Sequence, residues 1–248
     1  MFPTIPRSIF HGNRKSLFWG IFSPYLARFF FILAAVGRTC VNIGFIEHPL
    51  VLGFFYSLIT GQFLPVLPLA VFFELFWLDL FPVGSYIPPF PAFPFLVILS
   101  VVTMFPAMPM PLLLTLLLVA LPLAHAGAGV EKLVRERNAC TCFSQLEHAQ
   151  GSQCKCLTWH FIFRVIGRNS IVFLGIFLLA TALSLPLVVL LDKQLAHLST
   201  NPQSNGWAIA LLCATPGAIL ALRRKENIRF FVVCAIAISV MSYGYLIQ

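Results

Sequence analysis

Charge is what this chain has least of. Asp, Glu, Lys and Arg together make up 10% of 248 residues, against about 25% in soluble domains. No lysine or arginine occurs between Arg38 and Lys132. Hydrophobic residues account for 59% of the chain, and its mean hydropathy is +0.92. Too little polar surface remains to cover a water-soluble globule, so the composition reads as an integral membrane protein. All 16 basic residues lie in 7–38 or 132–229. The net charge of +8 therefore belongs to the extramembrane segments. It points to anionic lipid headgroups rather than nucleic acid.

Other absences narrow the class. There is no Gly/Ser-rich linker and no internal repeat, which implies one membrane domain. There is no nucleophile elbow, phosphate-binding glycine loop or HExxH, so no catalytic constellation and no cofactor is expected. The basic N-terminus is not followed by a short apolar core and a small-residue cleavage site, as a cleaved signal would require. Residues 1–25 are expected to be a cytoplasmic or interfacial extension, with the membrane domain over 26–248 and its first span at about 26–46.

What is present sets a topology. The stretch 131–168 carries Lys132, Arg135, Arg137, Lys155, Arg164 and Arg168. The positive-inside rule makes this loop, about 129–168, cytoplasmic, as is the N-terminus. Three apolar segments follow, at roughly 170–191, 206–222 and 229–247. The basic turn 223–229 suits the inner side and the linker 192–205 the outer. Between 47 and 126, prolines cut the apolar run into pieces shorter than the roughly 20 residues of a straight span. Broken helices at membrane depth are tolerated where protein buries them or a wet cavity lines them. In transporters they commonly build the substrate site. The expected fold is an all-α integral membrane protein with multiple transmembrane helices and broken or re-entrant hairpins.

Two acids, Glu74 and Asp79, lie in one such piece, FFELFWLDLFPVGSYIPPFP (72–91). An ionisable group in the membrane is a functional candidate by default. Trp77 follows Glu74 by three residues, so a helix places both on one face. The bland alternative makes Glu74 a hydrogen-bonded bundle residue and Trp77 an interfacial anchor. For Asp79 the structural and functional alternatives weigh equally.

HPLVLGFFYSLITGQ (48–62), followed by FFELFWLDLFPVGSYIPPFP, resembles the membrane IIC subunit of the mannose/fructose/sorbose family of sugar phosphotransferase systems. Its pattern is close to RPLVxGxLxGLxxGD, then LELIxLGxxPIGxxxPPD. The matching positions are Pro49, Leu50, Val51, Gly53, Gly61, Glu74, Leu75, Pro82, Gly84, Pro88 and Pro89. Residues 129–164 and the C-terminal segments resemble the family more loosely. Gln62 stands where the family prefers an acid, Asp79 replaces a glycine, and Phe90 replaces the acid after the double proline.

The resemblance implies a non-catalytic, sugar-translocating permease subunit in a bacterial inner membrane. Its partners would be a IID-like membrane subunit and soluble IIA and IIB components, with further oligomerisation. It implies a sugar held by this segment, with Glu74 and His48 at matching positions and Trp77 and Asp79 beside them, because ionised oxygens accept strong hydrogen bonds from hydroxyls. Asn42, Glu47, Gln62, Ser85 and Tyr86 could join the same cavity, or else be helix-terminus or interface residues. Two alternatives stand beside it: a degenerate, non-transporting homologue acting as scaffold or regulator, and a small membrane enzyme acting on lipid through an acid and a histidine. Cys140, Cys142, Cys154 and Cys156 are expected to be free thiols. Zinc is the minority alternative, since one residue rather than two to four separates each pair.

Overall fold

The computed structural model describes residues 14–41, 44–78, 87–105, 108–149, 159–195 and 214–215, with side chains at 14–21, 41, 145–149, 159–162 and 195 left out of account. Among these residues all regular structure is helical. Six α-helices follow one another: α1 (Arg14–Val36), α2 (Pro49–Thr60), α3 (Phe63–Phe76), α4 (Ala92–Met104), α5 (Met110–Ala149) and α6 (Trp159–Leu195). One wide π turn, Gly37–Val41, closes α1.

Local chemistry explains the short helices. Pro49 opens α2 at a position whose N–H would be unpaired anyway. Gly61 ends it in the left-handed region, φ 71°, and its N–H returns to the Ser57 carbonyl. α3 folds back on α2 as a hairpin, and the two meet at Gly53. A Cβ there would lie 2.7 Å from the Ala70 Cβ and 3.2 Å from the Phe95 ring. Pro91 caps α4, which is buried along most of its length and packs against α1, α3, α5 and α6. Phe31 of α1 joins Phe90, Phe93, Phe173 and Phe177 in one aromatic cluster at the centre.

The helices sort by length. α2, α3 and α4 have 12, 14 and 13 residues, too few to cross a bilayer. α5 and α6 have 40 and 37 residues, or roughly 60 and 55 Å at 1.5 Å per residue. Both contain a stretch long and apolar enough to cross a membrane, within Met110–Ser144 and Phe163–Gln194. Only 33% and 22% of those stretches are buried, unlike the core helix of a soluble protein.

Several expectations change. The first helix begins at Arg14, not near 26, so residues 14–25 are helical and continuous with α1. Residues 129–149, expected in a loop, prolong α5 without a break, because Glu131 to Ala149 keeps helix-forming residues with no proline or glycine. The segment 170–191 lies inside α6. The segments 206–222 and 229–247 lie outside the described residues, apart from the helical pair 214–215, where Ala214 is buried.

Candidate functional site

The ends of four helices meet around one cavity of about 210 Å³. The π turn after α1 contributes Arg38. Glu47 and His48 precede α2. Phe73, Glu74, Trp77 and Leu78 come from the end of α3, and Pro88, Pro89 and Pro91 from the approach to α4. The N-termini of α2 and α4 and the C-termini of α1 and α3 all open onto this space, so their dipoles oppose one another and the polar contacts decide its charge preference.

Glu74 is held there by two contacts from the start of α2. Its Oε1 lies 2.7 Å from His48 Nδ1, and its Oε2 accepts the Leu50 N–H at 3.2 Å. His48 occupies the N-cap position of α2 but makes no side-chain bond to its own helix. A carboxylate borrowed from α3 therefore caps α2. An ionised carboxylate offers about four acceptor sites. These two contacts leave two, on a side chain that lines the cavity.

The opposite wall is an ion network. Arg38 is buried, and three of its N–H groups are directed at protein. Nε donates to Glu131 Oε2 at 2.6 Å, Nη1 to Glu47 Oε2 at 2.8 Å, and Nη2 to the Pro88 carbonyl at 2.7 Å. Glu131, only 1% exposed, also receives Arg135, with Nη2 2.6 Å from Oε1. Two arginines and two glutamates thus neutralise one another and tie α1, α5 and the turn before α2 to the double-proline segment. The Arg38 guanidinium also lies over the Phe90 ring, 5.0 Å from its centroid.

Trp77 terminates α3. Its ring stands edge-on to Phe76 and to His125, at 5.0 and 5.2 Å between centroids. Its buried Nε1 has no hydrogen-bond partner among the described residues.

Of the residues singled out from sequence, Glu47, His48, Glu74 and Trp77 come together here. Gln62 does not: it sits in the α2–α3 turn, at the other end of a helix roughly 18 Å long. Asn42, Asp79, Ser85, Tyr86, Cys154 and Cys156 lie outside the described residues. Cys140 and Cys142 are exposed thiols. No group of three or more His, Cys, Asp or Glu placed to hold a metal occurs among the described residues. Phe90, where the resembling family carries an acid, is a buried core residue against Phe31, and its N–H donates to the Ala124 carbonyl.

Sequence reasoning missed Arg38, Glu131 and Arg135. The available signal was cost: an arginine interrupting an apolar segment needs partners, and Arg38 has none close in sequence but Glu47.

No family model, curated protein or solved structure matches the chain.

Proposed function

We propose that this chain is a multi-pass membrane protein that holds a polyhydroxylated solute at the Glu74 cavity. In this proposal it is the sugar-translocating, IIC-like subunit of a bacterial phosphotransferase system, working with a IID-like subunit and with soluble IIA and IIB components that carry the phosphoryl group. The observation that carries it is the Glu74–His48 contact. It joins HPLVLGFF and FFELFW, the two halves of the resembling motif, across 26 positions and around one cavity. The chemistry agrees, because Glu74 keeps free acceptor sites for hydroxyls. The short helices α2, α3 and α4 act as re-entrant or broken elements, and their ends supply the polar groups at membrane depth.

The test is sugar uptake with the partner subunits present, at equal membrane abundance. Glu74→Gln keeps the shape and an acceptor for the Leu50 N–H but loses the charge. Hydrogen bonds to charged groups contribute about 1.5–3 kcal/mol against about 0.5–1.5 for neutral ones, so affinity falls roughly five- to tenfold. Gln62→Ala leaves uptake unchanged. Parent-like uptake by Glu74→Gln assigns Glu74 to α2 capping alone.

Phe90 favours a second reading. The acid expected there is a buried aromatic ring under Arg38. A parent chain that assembles with its partners but takes up no sugar is a scaffold built on the same fold.

A further inference from the structure

A second cleft lies away from the Glu74 cavity, between the prolonged ends of α5 and α6. It is an open groove of about 480 Å³ lined by Leu133, Glu136, Arg137, Cys140, Thr141 and Arg168. Arg168 Nη2 donates to Asn138 Oδ1 at 2.9 Å, which fixes a guanidinium across the gap from α6 to α5. The Arg137 side chain is exposed, and no hydrogen bond or ion pair of its guanidinium is found among the described residues. Glu136, the one lining acid among the described residues, lies 4.0 Å from Lys132 on the preceding turn, an exposed pair that solvent screens. The cleft presents two guanidiniums and one carboxylate, a net positive charge, to whatever enters it.

Its depth indicates the ligand. The apolar part of α5, residues 110–130, rises about 30 Å, the thickness of a bilayer's hydrocarbon core. Arg137 follows within two turns, and helical side chains lean back toward the N-terminus, here toward that boundary. Leu133, at the membrane side of the cleft, is 57% exposed, and Ile171, one turn inward from Arg168, is 72% exposed. Cationic groups at headgroup level, with bare apolar side chains just below, match an amphiphile with an anionic head.

We propose that the α5–α6 cleft binds the phosphodiester of an anionic phospholipid, held by the Arg137 and Arg168 guanidiniums; the Thr141 hydroxyl takes no part, since it donates to the Arg137 carbonyl at 2.7 Å. Planar guanidiniums bind phosphate oxygens two at a time, and basic clefts between membrane helices are suited to such headgroups. This rests on α5 and α6 crossing the membrane, not on the sugar assignment.

The experiment is native mass spectrometry of the full chain released from nanodiscs of phosphatidylcholine mixed with phosphatidylglycerol. Retention of the chain in membranes washed at alkaline pH is measured first. Release by that wash overturns the membrane-spanning assignment and the site with it. For embedded protein, the expected result is preferential retention of phosphatidylglycerol. Arg137→Gln and Arg168→Gln each lower that preference about fivefold, and the double variant about 25-fold. Asn138→Ala, which frees the Arg168 guanidinium but keeps its charge, lowers the preference less than Arg168→Gln does, and Lys193→Gln at the other end of α6 leaves it unchanged. Arg168→Lys keeps most of it, which separates charge from folding. Equal retention of both lipids, an unchanged ratio in the double variant, or displacement of the lipid by inorganic phosphate alone overturns the proposal.

Discussion

The three short helices and the two long ones solve the same problem differently. Every helix leaves N–H groups unpaired at its start and carbonyls at its end. α5 and α6 are long enough to carry at least one end beyond a hydrocarbon core, where water satisfies them. One end each of α2, α3 and α4 meets at the cavity, where other residues satisfy it, whereas the α2–α3 turn at Phe63 and Leu64 and the far end of α4 at Met104 and Phe105 are exposed. Glu74 of α3 caps α2, and the Arg38 guanidinium takes up the Pro88 carbonyl just before α4. The cavity is where these ends converge. Polar groups gather there first because short helices need them, and solute binding would use the acceptor sites left over.

The largest test of that contrast is Arg38→Met. It leaves Glu131 buried with Arg135 alone and frees the Pro88 carbonyl. Breaking a buried ion pair from one side costs about 3–5 kcal/mol. Unfolding by denaturing detergent should register that loss, and Arg38→Met combined with Glu131→Gln should recover part of it. A double-mutant cycle with no coupling would show that the ends of the short helices do not depend on this network.

A smaller effect separates a close contact of the short helices from an open face of a long one. Gly53→Ala forces a Cβ to 2.7 Å from that of Ala70, and overpacking of this kind costs about 1–3 kcal/mol. Ala70→Gly in the same chain should relieve it. Gly129→Ala, in α5, meets nothing within 4 Å. It should stabilise by about 0.5–1 kcal/mol through helix propensity. Equal effects at the two glycines would mean that α2 and α3 do not meet closely at Gly53.

The smallest expected change is Trp77→Phe. It keeps an aromatic ring against Phe76 and His125 and removes a buried N–H that has no partner. Stability should hold or rise by up to about 1 kcal/mol. A clear loss of stability would mean that the indole is a packing anchor for α3.

Composition and local chemistry determined much of this in advance. Proline and glycine positions cut 47–109 into short helices because they remove backbone donors and permit left-handed turns. The apolar run 170–191 announced the body of α6. The three-residue spacing of Glu74 and Trp77 put both at one end of α3. Reach across the chain was not legible. Arg38 meets Glu131 across 93 positions, and no residue near either predicts the other. The helical prolongation of α5 was hidden because its charged residues read equally well as a loop until Glu131 finds Arg38 and Arg135. Phe90, read as a substitution at a polar site, became a core residue. Sequence period and composition act over a turn or two of helix, whereas the partners of a buried charge are chosen by whichever helix ends the fold brings within hydrogen-bonding distance.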